Sequence, residues 1–288
     1  MSGPSDRSDD LVGVLRSTLG RWDDWYPIPI LATLVGFALW VRLQAIDRFL
    51  VDGRIYFTGN DAFYHFREVM YVVTHWPWTM PFDPWTYFPY GTSQGQFGTL
   101  FDQLIATAAL IVGLGSPDTQ TVASVHLVAP AVFGAATVLP IYAIGKRYGD
   151  RLTGLFAAAV LVLLPGTFLS RTTVGFTDHN SAEPFFQAVA VLGLLLAIHV
   201  VEQEKPVFEL IVDRDWAGLR RPLIWSVLGG FAVFTYIWVW PPGIFLVGLI
   251  AVFFTLQLTG TFVRGRSPEH LAFSGVVMMG VLFVLLLQ

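Results

Sequence analysis

Seven long apolar runs restrict what this chain can fold into more than any other feature of its sequence. An α-helix rises about 1.5 Å per residue, so roughly 20 apolar residues cross about 30 Å of hydrocarbon. Composition agrees, because 54% of the residues are hydrophobic and 13% are charged, whereas soluble domains carry about 25% charged residues. We therefore predict an all-α polytopic membrane protein with about seven transmembrane helices. The runs cover residues 27–46, 120–145, 152–170, 184–202, 222–240, 243–263 and 270–288.

An eighth apolar run, Leu104 to Leu114, is too short to cross a bilayer. It is predicted to be a re-entrant or interfacial amphipathic helix inside a long first outer loop at 47–119. A second outer loop is predicted at 171–183. Residues 1–26 are polar and show no signal peptide, so they are predicted to form a cytoplasmic N-terminus that precedes a membrane domain at 27–288.

The distribution of cationic residues supports this topology. Arginine and lysine are enriched in the short cytoplasmic loops of membrane proteins. With a cytoplasmic N-terminus, three cation-bearing loops fall inside and the uncharged connection at Pro241 and Pro242 falls outside, provided that the Leu104–Leu114 helix does not cross. Both outer loops then lie on the extracytoplasmic face of the cell membrane. The inside cations are Lys146, Arg147, Arg151, Lys205, Arg214, Arg220, Arg221, Arg264 and Arg266.

Charge and cysteine content exclude several functional classes. The net charge is −4 and no cationic run occurs, so the sequence predicts no nucleic-acid partner. The absence of cysteine excludes disulfides, thiolate metal sites and cysteine nucleophiles. Arginine supplies 15 of the 17 cationic residues and aspartate 15 of the 21 acidic residues, a bias that is typical of a salt-adapted organism.

The first candidate motif is Gly59-Asn60-Asp61, followed by Ala-Phe-Tyr-His-Phe-Arg. An aspartate just outside a membrane span can bind a divalent cation or activate an acceptor group. The alternative is structural, because Asp61 opens a helix-like run and Asx residues often cap helices. His65 lies one helical turn from Asp61, although a single histidine among aromatic residues is more often packed or hydrogen-bonded than a ligand.

The second candidate motif joins two apolar spans and runs from Arg171 to Glu183. Carboxylate and amide oxygens at Asp178 and Asn180 suit a hard cation such as Mg²⁺ or Mn²⁺, and His179 adds a ligand suited to manganese or a donor to phosphate. Arg171 offers a planar fork of donors that matches a phosphate. The alternative is an interfacial loop in which Asn180 or Ser181 caps the next span and Glu183 occupies its first turn.

The functional interpretation of each motif is strengthened by the other, because the charge distribution places both on the same face of the membrane. One contributes a carboxylate, and the other contributes a carboxylate and a guanidinium. This combination predicts a metal-assisted site for a phosphorylated, lipid-linked substrate that enters from the bilayer.

Three segments resemble one known family: GNDAFYHFR at 59–67, FDPWTYFPYGT at 82–92 and SRTTVGFTD at 170–178. They are similar to the catalytic membrane subunit of oligosaccharyltransferase, in its archaeal single-subunit AglB type. The resemblance implies the architecture of a C-type, polyprenol-dependent glycosyltransferase. It also implies transfer of an oligosaccharide from a dolichyl phosphate or pyrophosphate carrier to asparagine in Asn-x-Ser/Thr sequons of an acceptor protein, with Mn²⁺ or Mg²⁺ as cofactor.

The resemblance also implies roles for individual residues. Asp61 corresponds to the acid that contacts the metal and the acceptor amide, Asp178 to a metal ligand, and Arg171 to an arginine that is important for activity. The third position of the second motif, usually acidic or histidine in the family, is Asn180 here, a neutral oxygen ligand that holds a cation less tightly. The neighbouring His179 is expected to compensate and to contact substrate.

The family also has further spans and a soluble sequon-binding domain that this sequence does not contain, so the chain is expected to be a C-terminally truncated portion of such an enzyme. Alternative functions are another polyprenol-dependent glycosyltransferase, such as a protein O-mannosyltransferase, a membrane transporter, or an inactive scaffold. Charges within membrane spans are typical of a transporter, and Arg42 is the one clear case in the predicted spans.

Overall fold

The computed structural model describes residues 25–93 and 97–287, and helices dominate this part of the chain. Apolar side chains form most of each helix, so the helices bury them against one another or present them to lipid. The helices are α1 (Pro27–Leu43), α2 (Asp61–His75), α3 (Leu100–Val112), α4 (Thr119–Ala136), α5 (Val138–Tyr148), α6 (Arg151–Leu163), α7 (Thr167–Arg171), α8 (Glu183–Gln203), α9 (Val207–Val212), α10 (Trp216–Val239), α11 (Ile244–Val263) and α12 (Glu269–Leu286).

Five helical segments in the described ranges are long and apolar enough to cross a membrane. Three shorter apolar helices, α1, α3 and α6, have 17, 13 and 13 residues. The multi-span helical architecture expected from the sequence is confirmed, and each expected run contains helix. The run at 152–170 is not one continuous helix, since Leu164, Pro165 and Gly166 separate α6 from α7. The long segments are Thr119–Tyr148, Glu183–Gln203, Trp216–Val239, Pro241–Val263 and Glu269–Leu286.

Much of the buried core lies where α8, α10 and α12 pack together. Small residues allow the close approach of α8 and α10, because the Cβ position of Gly193 lies 3.2 Å from the Cα atom of Gly229. On the other side of Gly229, Met278 of α12 fills the remaining space. By contrast, α11 exposes Phe245, Leu249, Val252 and Leu256, an apolar face suited to lipid.

The segment between α1 and α3 contains α2, a 3₁₀ turn and two short antiparallel hairpins. Leu50–Val51 pairs with Arg54–Ile55, and Phe82–Asp83 pairs with Thr92–Ser93. The buried Asp83 accepts hydrogen bonds from Arg67 Nη2 at 2.8 Å and from Trp85 N at 2.9 Å. Burial alone raises the pKa of Asp83, but these bonds outweigh it and the pKa lies below its usual value. The Phe-Asp-Pro-Trp segment is thereby fixed against α2.

Candidate metal centre and substrate cavity

Helix α4 positions both sequence motifs through one buried histidine. His126 Nε2 lies 2.9 Å from the carbonyl oxygen of Ala62 in the first turn of α2. The carbonyl oxygen of His126 accepts a hydrogen bond from Thr177 Oγ1 at 2.7 Å, one residue before Asp178. The start of α2 and the 171–183 segment are therefore anchored to the same turn of α4.

Arg42 provides a second anchor for the 171–183 segment. Its side chain is 1% exposed, and Nε donates a hydrogen bond to Thr172 Oγ1 at 2.8 Å. Its guanidinium also lies 5.0 Å from the centre of the Phe168 ring. Gly134 of α4 permits this contact, because a Cβ there would lie 2.5 Å from Arg42 Nε. Arg42 is thus a structural link between α1 and the segment that carries the second motif.

Asp61 is the first residue of α2 and has an exposed side chain. The preceding Asn60 holds the N-cap position without a side-chain capping bond, and Gly59 has a φ of +81°, which glycine adopts without strain. The Asp61 carboxylate is therefore not used as a helix cap. His65, one turn later, is buried and points the same way along α2.

Three side chains from the two motifs converge in a cluster that can hold a metal ion: His65, Asp178 and His179. Asp178 Oδ1 lies 2.9 Å from His179 Nδ1 and 3.7 Å from His65 Nε2. The two imidazole nitrogens, His65 Nε2 and His179 Nδ1, are 3.2 Å apart. Two nitrogens and one carboxylate oxygen thus meet, although they come from residues 114 positions apart in sequence.

Hydrogen bonds around this cluster set the charges of its members. His65 Nδ1 lies 2.8 Å from Asp102 Oδ1, and both side chains are almost fully buried. Burial lowers the pKa of His65, but the charges and hydrogen bonds of Asp102 and Asp178 outweigh this effect and raise it to about 10. Burial also raises the pKa of Asp178, whereas hydrogen bonds from His179, His65 and Asn180 bring it far below its usual value. Asp178 is consequently anionic, as a metal ligand requires.

The remaining residues of the second motif surround Asp178. Asn180 donates side-chain and backbone hydrogen bonds to the Asp178 carboxylate, so its amide orients that ligand in this structure. Glu183 Oε1 is buried without a hydrogen-bond partner in the described residues and lies 3.7 Å from His179 Nε2. Arg171 is exposed and forms no hydrogen bond or ion pair with residues 25–93 or 97–287, although its charge acts on Glu183.

A cavity of about 520 Å³ connects the two motifs. Asp61, His65 and His179 all line it, so the cavity places the Asp61 carboxylate beside the histidines of the cluster. Aromatic side chains form much of the remaining wall, namely Tyr64, Trp85, Tyr87 and Phe97. The site therefore combines a candidate metal centre with an open, aromatic-lined space for a substrate.

The structure brings together residues that sequence reasoning named and others that it missed. Asp61, His65, Asp178, His179, Asn180 and Glu183 lie around one cavity and cluster. Asp102 and His126 were not singled out. Asp102 had a detectable signal, since it is the acidic residue in an otherwise apolar helix and such residues are usually functional or paired. His126 had no such signal in the sequence, because its role depends on contacts with Ala62 and Thr177, which lie 64 and 51 residues away.

The fold and the site together define a polytopic membrane protein with a candidate metal centre at one end of its helices. The chain belongs to the STT3 family: the family model described as "Oligosaccharyl transferase STT3, N-terminal" matches residues 31–288. The sequence resemblance to the oligosaccharyltransferase catalytic subunit is thereby confirmed.

One relative and two solved structures illustrate the match. The chain is 58% identical over 258 residues to the dolichyl-monophosphooligosaccharide–protein glycotransferase AglB of Haloferax volcanii, covering 90% of this chain and 24% of that protein. The same fold occurs in a structure of the archaeal oligosaccharyltransferase AglB from Archaeoglobus fulgidus in complex with an inhibitory peptide and a dolichol-phosphate. The TM-score is 0.78 and the sequence identity is 24%, over 92% of this chain and 29% of that one.

A structure of the Archaeoglobus fulgidus oligosaccharyltransferase in complex with Zn and sulfate also matches, with a TM-score of 0.76 and 25% identity over 90% of this chain and 31% of that one. The chain thus spans only about a quarter to a third of the length of these relatives.

Proposed function

We propose that this chain forms the metal- and donor-binding part of an oligosaccharyltransferase. Such an enzyme transfers an oligosaccharide from a dolichyl phosphate carrier to asparagine in Asn-x-Ser/Thr sequons of acceptor proteins. The name of the Haloferax relative specifies a monophosphate carrier, and at 58% identity we extend that carrier to this chain. One observation carries the proposal: the cavity that Asp61 lines is also lined by His65 and His179 of the candidate metal cluster.

The polar atoms of the cluster fit a cation. His179 Nδ1 lies within hydrogen-bond distance of both Asp178 Oδ1 and His65 Nε2. With Nδ1 protonated, one hydrogen is shared between the carboxylate and the second imidazole; with Nδ1 unprotonated, its lone pair faces the carboxylate. A cation bound by all three atoms would remove this competition, since it takes one lone pair from each and displaces the proton on His65 Nε2. The buried, unpartnered Glu183 Oε1 places further negative charge next to His179.

The donor set also bears on which metal binds. Imidazole suits manganese better than magnesium, which prefers oxygen ligands throughout. We therefore propose Mn²⁺ over Mg²⁺, held by His65, Asp178 and His179, with Asp61 and Asn180 as the further oxygen ligands expected from the sequence. When bound, the ion supplies positive charge that stabilises the departing phosphate.

The protein side chains have separate roles in this proposal. The Asp61 carboxylate accepts a hydrogen bond from the N–H of the acceptor carboxamide and orients its nitrogen toward the sugar carbon, with inversion at that carbon. Arg171 is exposed and unpaired within the described residues, so its guanidinium is available to the donor phosphate. His179 lines the cavity and contacts the same substrate. The aromatic wall offers apolar surface to the substrate.

The family assignment favours this function over the alternatives drawn from the sequence. A protein O-mannosyltransferase or a transporter is not what the family model describes. A transporter is also disfavoured by Arg42, because its side chain bonds to Thr172 and the Ala38 carbonyl instead of lining one of the cavities found in the described residues. We further propose that the site faces the extracytoplasmic side and that the N-terminus is cytoplasmic, as the positive-inside rule predicts.

The test replaces Asp61 by asparagine at its own locus in the cells that produce this chain. The variant keeps the size of the side chain and removes its charge. The fraction of sequons occupied by glycan, measured by mass spectrometry of surface glycopeptides, is expected to fall by at least about a hundredfold.

The matched control is Asp52→Asn, an exposed aspartate in the same outer loop. Its backbone has a φ of +50°, which asparagine tolerates well. Normal sequon occupancy is expected for this control. Wild-type occupancy in the Asp61→Asn cells, with the protein present at its usual abundance, would refute the proposed function.

A further inference from the structure

A second cavity, of about 460 Å³, lies at the opposite end of the helices from the candidate metal centre. Helix α8 connects the two: Glu183 at its start adjoins the metal cluster, and Glu202 near its end lines this cavity. Nineteen residues of helix separate them, or roughly 28 Å at 1.5 Å per residue. The cavity therefore faces the other side of the membrane and is distinct from the proposed active site.

The mouth of this cavity is strongly cationic. Arg147 comes from the last turn of α5, Arg264 follows α11, and Arg266 lies two residues further on. None of the three forms an ion pair with a carboxylate in residues 25–93 or 97–287. Glu202 is the single carboxylate among the residues that line the cavity. Three guanidinium groups thus face a single carboxylate, and this excess of positive charge favours an anionic ligand.

One stretch of the cavity wall is apolar, although polar side chains line much of the rest. Leu195 and Ile198 lie one to two turns deeper in α8 than Glu202, and Phe253 lies three turns before Arg264 in α11. Leu271 of α12 completes this wall. The cavity lies between α8 and α11, since residues of both helices line it. Charge at the helix ends and apolar walls towards the bundle interior together match an amphiphile.

We propose that this cavity binds the phosphate headgroup of an anionic membrane lipid, with the lipid chain lying along Leu195 and Phe253. Cations near the C-terminal ends of α5 and α11 also complement the helix dipoles, but that role needs no enclosed volume and no apolar wall. Basic pockets between transmembrane helices on the cytoplasmic side are suited to anionic lipid headgroups. A free phosphate matches the arginines but makes no use of the apolar wall.

The test measures lipid binding to the purified 288-residue chain in nonionic detergent by native mass spectrometry. The probes are phosphatidylglycerol, phosphatidylcholine and inorganic phosphate. One phosphatidylglycerol is expected to bind at least about tenfold more tightly to the unmodified chain than to Arg147→Gln/Arg264→Gln. Phosphatidylcholine, which has no net charge, is expected to bind weakly to both. The matched control, Arg214→Gln/Arg220→Gln, removes two exposed arginines that do not line the cavity and is expected to retain the affinity.

A second variant keeps the experiment decisive if the double arginine variant does not fold. Leu195→Trp fills the apolar wall and leaves all three arginines in place, and it is expected to weaken phosphatidylglycerol binding by several-fold. Equal lipid binding by the cavity variants and the unmodified chain, or an equal loss in the Arg214→Gln/Arg220→Gln control, would overturn the proposal. Inorganic phosphate that binds as tightly as phosphatidylglycerol would instead identify a free anion as the ligand and overturn the lipid assignment.

Discussion

At the scale of single residues, Asp102 orients the His65 ring of the candidate metal centre. Its side chain is 2% exposed, and Oδ1 accepts a hydrogen bond from His65 Nδ1 at 2.8 Å. This bond commits one ring nitrogen and leaves Nε2 directed toward Asp178 and His179. Carboxylates that hold a histidine in this way fix its tautomer and strengthen its binding to metals. Asp102 is therefore a positioning residue for the cluster.

Replacing Asp102 by asparagine is expected to weaken Mn²⁺ binding by about 10- to 100-fold. The asparagine amide can turn to donate to Nδ1, which selects the tautomer that places a proton on Nε2. Electron paramagnetic resonance of Mn²⁺ titrated into the purified chain gives the dissociation constant. The control Asp52→Asn is expected to bind like the unmodified chain. Unchanged Mn²⁺ affinity in a folded Asp102→Asn protein would contradict this role.

Glu68 is a second buried acid at the site, one turn beyond Tyr64 on α2. Burial, followed by the negative charges of Asp102 and Asp83, raises its pKa to about 8, although His65 and Arg67 act in the opposite direction. Between the ordinary value of 4.5 and about 8, the folded protein holds a proton that the unfolded chain has released. The free energy of unfolding therefore falls as the pH rises through this window.

Glu68→Gln removes the group that titrates, so it is expected to raise the melting temperature at pH 8.5 and to have a smaller effect at pH 5. A gain of about 1 kcal/mol corresponds to roughly 2–4 °C in a domain of this size. Thermal unfolding followed by circular dichroism at the two pH values measures the difference. Glu209→Gln, at an exposed position of α9, serves as the control and is expected to show no such pH dependence.

At the scale of elements, the break between α6 and α7 positions the second motif. Leu164 leaves the helical conformation, Pro165 cannot continue the hydrogen-bond ladder, and Gly166 has φ +94° and ψ −146°. Glycine is nearly alone in tolerating this region of backbone conformation. The redirected chain then forms α7, which ends at Arg171. A proline and a glycine thus convert one apolar run into a helix, a turn and the start of the site.

Gly166→Ala is expected to destabilise the protein by about 1–3 kcal/mol, because alanine is strained at this backbone conformation. The expected drop in melting temperature is at least about 2 °C. Open space surrounds the Cβ position, so the loss reports backbone strain and no steric clash. Gly36→Ala in α1 is the matched control, since its Cβ position is also open but its backbone is helical. That variant is expected to be unchanged or slightly more stable; equal destabilisation of both variants would exclude the strain account.

At the scale of the whole molecule, the sequence predicts the membrane class and both motifs, because these depend on local patterns. Apolar runs identify helices, and oxygen and imidazole donors at Asp178, His179 and Asp61 indicate metal chemistry. The contacts between these residues could not be predicted from the sequence. Asp102 lies 37 residues from His65 in the chain, and His179 lies 114 residues from it. The break in the 152–170 run was also missed, although Pro165 and Gly166 signalled it.

The contacts at the site constrain how the chain is arranged across the membrane. The segment Thr119–Tyr148 is long enough to cross a membrane, and Asp178 contacts His65, so the chain returns after α6 to the end of the bundle that carries α2. Helix α8 then runs about 30 Å away from that face over its 21 residues. Arg54, between α1 and α2, and Lys205, after α8, are both exposed, and we expect them on opposite faces of the membrane. The positive-inside rule assigns the Lys205 face to the cytoplasm.

Natural absence of cysteine makes this arrangement directly testable, because a single introduced cysteine is the sole thiol in the chain. In intact cells, a membrane-impermeant maleimide is expected to label Arg54→Cys and to leave Lys205→Cys unlabelled until the membrane is permeabilised. Both positions are exposed, so accessibility within the protein is matched and the difference reports the side of the membrane. The reverse pattern would place the candidate metal centre in the cytoplasm, and labelling of both sites in intact cells would show that α8 does not cross.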